Sequence, residues 1–540
     1  MKVNFNLIKI LFIYGIALYI SVGHYGVEET SDARYSEISR EMFDSGDILH
    51  PKLLNVYHYH KPFITYAITE LGYFLLDVNA FGARFFLQIA VLFQIILVYL
   101  ISRLLFKNDK SALWSAIIYM SFPIVLISSR NLTTDAYLTT FVLWSIYNWI
   151  KYRQKGLFLY LYLFAFSLSL GFLTKGPVVL MVPLVFTLLY NRIEVSKKSF
   201  SIHHILAILL FVGISLSYFI YLSIENAQLI DYFLGRQTVD RFSKNVFGRT
   251  EPFYYFLIFF PLISLPWFVP LAIMIKNQIR HFTKKSVYVA LSITVVIALV
   301  FFSISSSKRI LYILPFFGLL AVLTAQLLSK ISVEKSKIIY IIIFVFNIII
   351  LTSLIVSSFI GIDFEFPYSV TILNTIALLS VVFIGISKKY DYKLKSIGIT
   401  IVFSMNLLIT SGYILSANEI KVNSTKPVTD FIIEKKLNDR TILVYDEFKP
   451  SIAFNLNKNI ISIYRKNHKL IRETQFEEDD NWKSFYIDLN KQEEKDRLAQ
   501  IIKEPTVLMV YKNKINNDDQ LWLVKNYQYT KSFEKWMIYY

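Results

Sequence analysis

Acids and cations recur in the polar stretches that separate long apolar runs of this chain. The first such stretch reads Glu28-Glu29-Thr-Ser-Asp32-Ala-Arg34-Tyr-Ser-Glu37-Ile-Ser-Arg40-Glu41-Met-Phe. The second, Tyr57-His-Tyr59-His60-Lys61-Pro62, joins aromatics and imidazoles to an ammonium ahead of another apolar run. Lysine before proline marks a helix start, where the helix dipole also favours an anion such as phosphate; a snorkelling lysine is the alternative. Arg130-Asn-Leu-Thr-Thr-Asp135 sets an acid at a helix start, where simple N-capping would also place one. Thr174-Lys175-Gly-Pro177 and Ser307-Lys308-Arg309-Ile-Leu-Tyr312 add cations at helix ends. Convergent cations near a lipid surface suit a lipid-borne phosphate, and a carboxylate among them suits a general base for an acceptor hydroxyl.

The elements that must position these groups are membrane helices. Of 540 residues 55% are hydrophobic and only 18% charged, against about a quarter charged in a soluble domain. A helix needs about 20 apolar residues to cross the hydrocarbon. Apolar stretches fall near 7–22, 85–106, 112–129, 132–150, 157–173, 177–190, 203–223, 254–275, 286–303, 310–329, 338–360, 368–387 and 396–416, which predicts about thirteen transmembrane helices. The first has no small-residue cleavage site after it and reads as an uncleaved span. Within the long loop 24–84, Tyr35, Ile38 and Met42 recur at helical spacing, as in a helix lying in the membrane interface with its acids and arginines turned away.

Charge placement sets orientation. With the amino terminus in the cytoplasm, each connection expected inside is basic: Arg103/Lys107/Lys110, Lys151/Arg153/Lys155, Arg192/Lys197/Lys198, Lys276/Arg280/Lys284/Lys285, Lys330/Lys335/Lys337 and Lys388/Lys389/Lys393/Lys395. These account for much of the net charge of +17, so no nucleic-acid partner is called for. The lack of cysteine excludes disulfides, thiolate metal sites and thiol nucleophiles. The expected domains are a transmembrane catalytic domain, 1–417, and a small α/β domain, 418–540, outside the cytoplasm. In the latter, 441–445, 460–464 and 506–511 read as strands and 428–436 as a helix.

Taken in order, Asp32-Ala-Arg-Tyr-Ser-Glu-Ile-Ser-Arg-Glu-Met42, Ser45-Gly-Asp47, His60-Lys-Pro62, Leu132-Thr-Thr-Asp-Ala136, Leu173-Thr-Lys-Gly-Pro177 and Ser307-Lys-Arg309 with Tyr312 and Pro315 resemble the bacterial lipid A aminoarabinose transferases and related protein mannosyltransferase-like enzymes. These are polyprenyl-phosphate-sugar transferases of the GT-C fold. The resemblance runs from about Glu28 to Pro315. It implies a catalytic carboxylate at Asp32, with Glu29 in reserve, and donor-phosphate contacts from Arg34, Lys61, Lys308, Arg309 and Tyr312. It also implies a pocket taking in Glu37, Tyr59, His60, Asp135, Lys175 and Arg241. The chain departs from the family where two adjacent acids are usual, having Ser31-Asp32 there. His60 replaces the usual Glu before Lys-Pro, and Arg249 stands where a metal-binding histidine is expected. His60 and Glu251 remain as ligands for a divalent metal, against an ordinary hydrogen-bonded histidine, and no cofactor is required.

The resulting expectation is a multi-pass glycosyltransferase of the bacterial inner membrane. It moves a sugar from undecaprenyl phosphate or a similar carrier to lipid A or another lipid or glycan acceptor in the periplasm, with inversion. A transporter or flippase of lipid-linked sugars is the rival, though such proteins place charges near mid-membrane in related halves.

Overall fold

The computed structural model describes residues 5–193, 200–240, 250–278, 286–361, 363–466, 471–512, 514 and 518–540. The chain divides into two compact units. Met1–Ser21 and Phe86–Ile414 form the first; Val22–Phe85 and Leu415–Tyr540 form the second. The long first loop thus folds with the C-terminal segment.

The first unit is helical, as it must be if its backbone groups are to be satisfied in lipid. Helices or bent helix pairs occupy the places of all thirteen expected stretches. Among the described residues, eight are long and apolar enough to cross a membrane, or up to ten if each bent pair is one span. The first pair, Asp109–Ser121 and Pro123–Arg130, bends by 60° where Pro123 lacks the N–H that would continue the helix. The second, Tyr255–Ile263 and Phe268–Gln278, bends by 95° beside Pro266. Phe5–Tyr19 and 177–193 are shorter apolar helices. Two buried polar side chains of the bundle are paired in this way: Arg130 donates to the carbonyls of Leu18 and Leu408, each at 2.7 Å, and Asn406 Nδ2 donates to Asn374 Oδ1 at 2.7 Å.

In the second unit, Lys52–Leu53 (β1) and Val56–Tyr57 (β2) make a small hairpin. Thr441–Tyr445 (β3), Ile461–Tyr464 (β4), Tyr486–Asp488 (β5), Thr506–Tyr511 (β6), Thr530–Ser532 (β7) and Trp536–Tyr539 (β8) form one sheet, in the order β5-β4-β3-β6-β8-β7. The pairs among β5, β4, β3 and β6 are parallel, while β8 runs antiparallel to β6 and β7. Side chains alternate across a strand, so the two faces carry different cores. Ile442, Val444, Val507 and Met509 pack on one face; Leu443, Tyr445, Leu508 and Val510 on the other.

Helix Ser31–Ser45 belongs to the first of these cores. Its Ile38 and Met42 are buried there with Val428 and Ile432 of helix Lys426–Glu434. The apolar stripe expected at the lipid interface is therefore covered by protein. Helix Ile64–Leu76 does expose apolar side chains, Leu71, Phe74 and Leu75 among them.

Candidate active site

The acid-bearing loop is built around Arg84, a fully buried guanidinium. It donates to the carbonyls of Val22 (3.0 Å), Tyr25 (3.0 Å) and Gly26 (2.8 Å) and lies 4.0 Å from the centre of the Tyr25 ring. Its remaining donors meet Asp32: Nε is 3.3 Å from Oδ1, and Nη2 is paired with Oδ2. Oδ2 also accepts the Glu28 backbone N–H at 3.1 Å. Asp32, 1% exposed in the first turn of its helix, thus spends both carboxylate oxygens on holding the loop. That use suits a positioning residue better than a free proton acceptor.

The two glutamates before it are placed differently. Glu28 is half-buried, and burial together with the nearby Asp32 charge pushes its carboxyl up to about 7, with Arg84 opposing. Glu29 Oε1 accepts the Ser451 backbone N–H at 2.9 Å, while Oε2 is buried with no hydrogen-bond partner. Burial raises the Glu29 carboxyl above the usual range, opposed by its bonds to Ser451 and by the charges of Lys449 and Arg34. Arg34 lies 5.9 Å from the centre of the Phe448 ring. Glu37 turns instead to Arg40, which donates to its oxygens at 2.6 and 2.8 Å and to Asp44 at 2.6 Å.

Beyond the hairpin, Tyr59 is buried between Tyr57, stacked at 5.5 Å, and Phe476 at 5.7 Å. The His60 and His58 rings lie 3.9 Å apart. Lys61 follows, half-buried, just ahead of helix Ile64–Leu76.

In the membrane unit the structure brings Asp135, Lys175 and Tyr312 together. Thr133 caps helix Thr134–Lys155, whose first turn carries Asp135. Lys175 ends helix Phe158–Lys175, where Gly176 turns the chain at φ +77°. Its ammonium pairs with Asp135 and sits 4.1 Å from the centre of the Tyr312 ring. Lys308, 5% exposed, is held by the carbonyls of Glu251 (2.7 Å) and Ser305 (2.6 Å), beside an antiparallel bridge between Thr250 and Ser307. Burial lowers its pKa, with Glu251 opposing. Arg309 opens the helical turn Ile310–Phe316, which carries Tyr312. Arg241 and Arg249 lie outside the described residues.

Among the described residues, no group of three or more His, Cys, Asp or Glu could hold a metal ion. The His60 ring is tilted 40° to that of His58, and no step is routed through a metal. Arg84 and Glu28 are the residues that sequence reasoning missed as individuals. The available signal for Arg84 was a lone arginine at the start of a long apolar run.

A family model described as dolichyl-phosphate-mannose-protein mannosyltransferase matches residues 60–218. The chain is 25% identical over 333 residues to the undecaprenyl phosphate-alpha-4-amino-4-deoxy-L-arabinose arabinosyl transferase 1 of Pseudomonas fluorescens, covering 61% of this chain and 60% of that protein. It is 27% identical over 305 residues to the corresponding transferase of Pectobacterium carotovorum, covering 56% of this chain and 55% of that one. The match thus spans less than two thirds of either relative's length. The crystal structure of ArnT from Cupriavidus metallidurans bound to undecaprenyl phosphate superposes with a TM-score of 0.80 at 17% identity, covering 98% of this chain and 97% of that one. In fold the chain is similar to that ArnT, in sequence it is similar to the aminoarabinose transferases over part of their length, and its long apolar helices are those of a multi-pass membrane protein.

Proposed function

We propose that the protein transfers a sugar from a polyprenyl phosphate, such as undecaprenyl phosphate, to a lipid or glycan acceptor outside the cytoplasm. The observation that carries this reading is the acid loop, in which a buried Asp32–Arg84 pair holds a half-buried Glu28 with a carboxyl near pKa 7. A general base works best with its pKa near the working pH. In the reaction, an acceptor oxygen attacks the anomeric carbon and the bond from that carbon to the phosphate oxygen breaks. The electron pair leaves with the polyprenyl phosphate, and the acceptor proton passes to Glu28. Attack opposite the leaving phosphate inverts the anomeric centre.

Asp32 and Arg84 are positioning residues in this scheme, and Glu29 keeps its place as the second candidate carboxylate. Cations ease phosphate departure by neutralising its growing charge where little water screens them. Arg34 and Lys61 are the candidates in the unit that carries the acid loop; Lys308, Arg309 and Lys175, with Tyr312, are those of the membrane unit. The basic connections support an amino terminus in the cytoplasm, with the α/β domain, 418–540, in the periplasm. The relatives are named as transferases, which favours an enzyme over a carrier of lipid-linked sugars. Their named sugar, 4-amino-4-deoxy-L-arabinose, is the first donor to try.

The test incubates the purified protein with radiolabelled polyprenyl-phosphate sugars and lipid A or glycan acceptors, comparing wild type with Glu28→Gln and Lys61→Ala. Labelled acceptor from wild type, and much less from either variant, is expected. Equal transfer by all three would overturn the residue roles, and no transfer with any donor would overturn the function.

A further inference from the structure

The membrane unit also contains a cavity of about 390 Å³ among the ends of helices that carry basic loops. Lys110, Lys330 and Lys393 contribute to its wall, with Trp114, Gln326 and Asp391. Residues at or beside the starts of three helices, Asp109–Ser121, Val333–Ser357 and Tyr392–Ala417, border it, and a helix start carries partial positive charge.

Partners of the three ammoniums show what is left over. Lys110 Nζ lies 4.9 Å from the centre of the Trp114 ring and Lys330 Nζ 5.2 Å from that of Tyr288; neither has a carboxylate partner among the described residues. Lys393 donates to the Ser329 carbonyl at 2.9 Å. The one carboxylate of the wall, Asp391, uses Oδ1 to accept the Leu394 N–H at 2.8 Å. Gln326, only 6% exposed, also borders the cavity, and its Nε2 donates to Tyr288 Oη at 3.4 Å.

Three ammoniums against one carboxylate on the wall select an anion. We propose that this cavity binds a phosphate ester, the chemistry shared by anionic phospholipid headgroups and small soluble phosphate esters. The phosphate takes the lysine donors. Basic pockets between membrane helices are suited to such headgroups. This site is separate from the residues assigned to sugar transfer, and its test does not depend on activity.

The experiment uses the full chain, delipidated in non-ionic detergent, and measures ligand retention by native mass spectrometry. Four ligands are compared: phosphatidylglycerol, phosphatidylcholine, glycerol 3-phosphate and inorganic phosphate. The proteins are wild type, Lys110→Gln, Lys330→Gln, the double variant and Lys330→Arg. Each lost lysine is expected to weaken binding about five-fold and the pair about thirty-fold, with Lys330→Arg close to wild type. Phosphatidylglycerol binding that falls in this way assigns a lipid headgroup, and glycerol 3-phosphate binding that does so assigns a soluble ester. Binding unchanged in the double variant, equal retention of phosphatidylcholine, or no retention of either ester would overturn the proposal. The charge-preserving Lys330→Arg separates loss of a contact from loss of folding.

Discussion

Asp32→Asn removes the carboxylate that pairs with Arg84, a guanidinium with no exposure to solvent. Breaking a buried pair by removing one partner costs about 3–5 kcal/mol, because the other charge stays buried without compensation. The affected unit has roughly 190 residues, a size at which 1 kcal/mol moves the unfolding midpoint by about 2–4 °C. Asp32→Asn is therefore expected to lower the midpoint by roughly 6–20 °C. Arg84→Met should cost at least as much, since the carbonyls of Val22, Tyr25 and Gly26 lose their donor as well. In the double variant the charge of neither partner is left behind, so the two effects should fall short of additivity by about 2 kcal/mol or more. Thermal unfolding of the purified protein, followed by tryptophan fluorescence to which the buried Trp536 of this unit contributes, measures all three. Single variants within about 1 kcal/mol of wild type, or strictly additive effects, would refute the claim that this pair organises the acid loop.

Glu28→Gln should lower the rate of transfer about 100-fold or more while leaving the unfolding midpoint near that of wild type, measured by initial rates and by the same melting curves. In wild type, kcat/KM should rise with pH through about 7 as Glu28 loses its proton, and this rise should vanish in Glu28→Gln. Because the folded carboxyl binds its proton more tightly than the unfolded one, folding stability from this group should fall as pH increases from about 4.5 to about 7; a midpoint that climbs in wild type relative to Glu28→Gln over that range would contradict the shift. Lys175→Met leaves Asp135 buried without its cation and should destabilise the membrane unit by about 3 kcal/mol, with Lys175→Met/Asp135→Asn recovering part of the loss. Lys308→Gln should weaken donor binding more than it slows turnover at saturating donor, which a KM-against-kcat comparison would read.

Much of the helical architecture was legible because a membrane span writes itself as an apolar run, and each of the thirteen runs coincides with a helix or a bent pair. Strands Thr441–Tyr445 and Thr506–Tyr511 were legible for a related reason, since parallel strands covered on both faces become continuous apolar stretches. What covers an amphipathic helix is not written in its own period. Ile38 and Met42 announced one apolar face, but only the fold shows that Val428 and Ile432, some 390 residues later, complete it.

The site divides along the same line. Residue types gave the acid loop and the cations, and the family resemblance made Asp32 the choice of base. Its capture by Arg84 depends on the chain returning 52 residues later, and the raised Glu28 carboxyl depends on burial and on the Asp32 charge, in a stretch that bridges to Ser424. Asp135 and Lys175 could each be read as a helix-end charge; their pairing under Tyr312 follows from three helical segments meeting.

The most direct measurement of the central claim is a single-turnover reaction of the purified protein in proteoliposomes with a polyprenyl phosphate carrying a radiolabelled sugar and an acceptor lipid. The label should leave the donor, appear on the acceptor with inverted anomeric configuration and release one polyprenyl phosphate per sugar transferred in wild type, and do so at least about 100-fold more slowly in Glu28→Gln. Donor that crosses the bilayer with its sugar still attached, or transfer at equal rates in both proteins, would contradict the account.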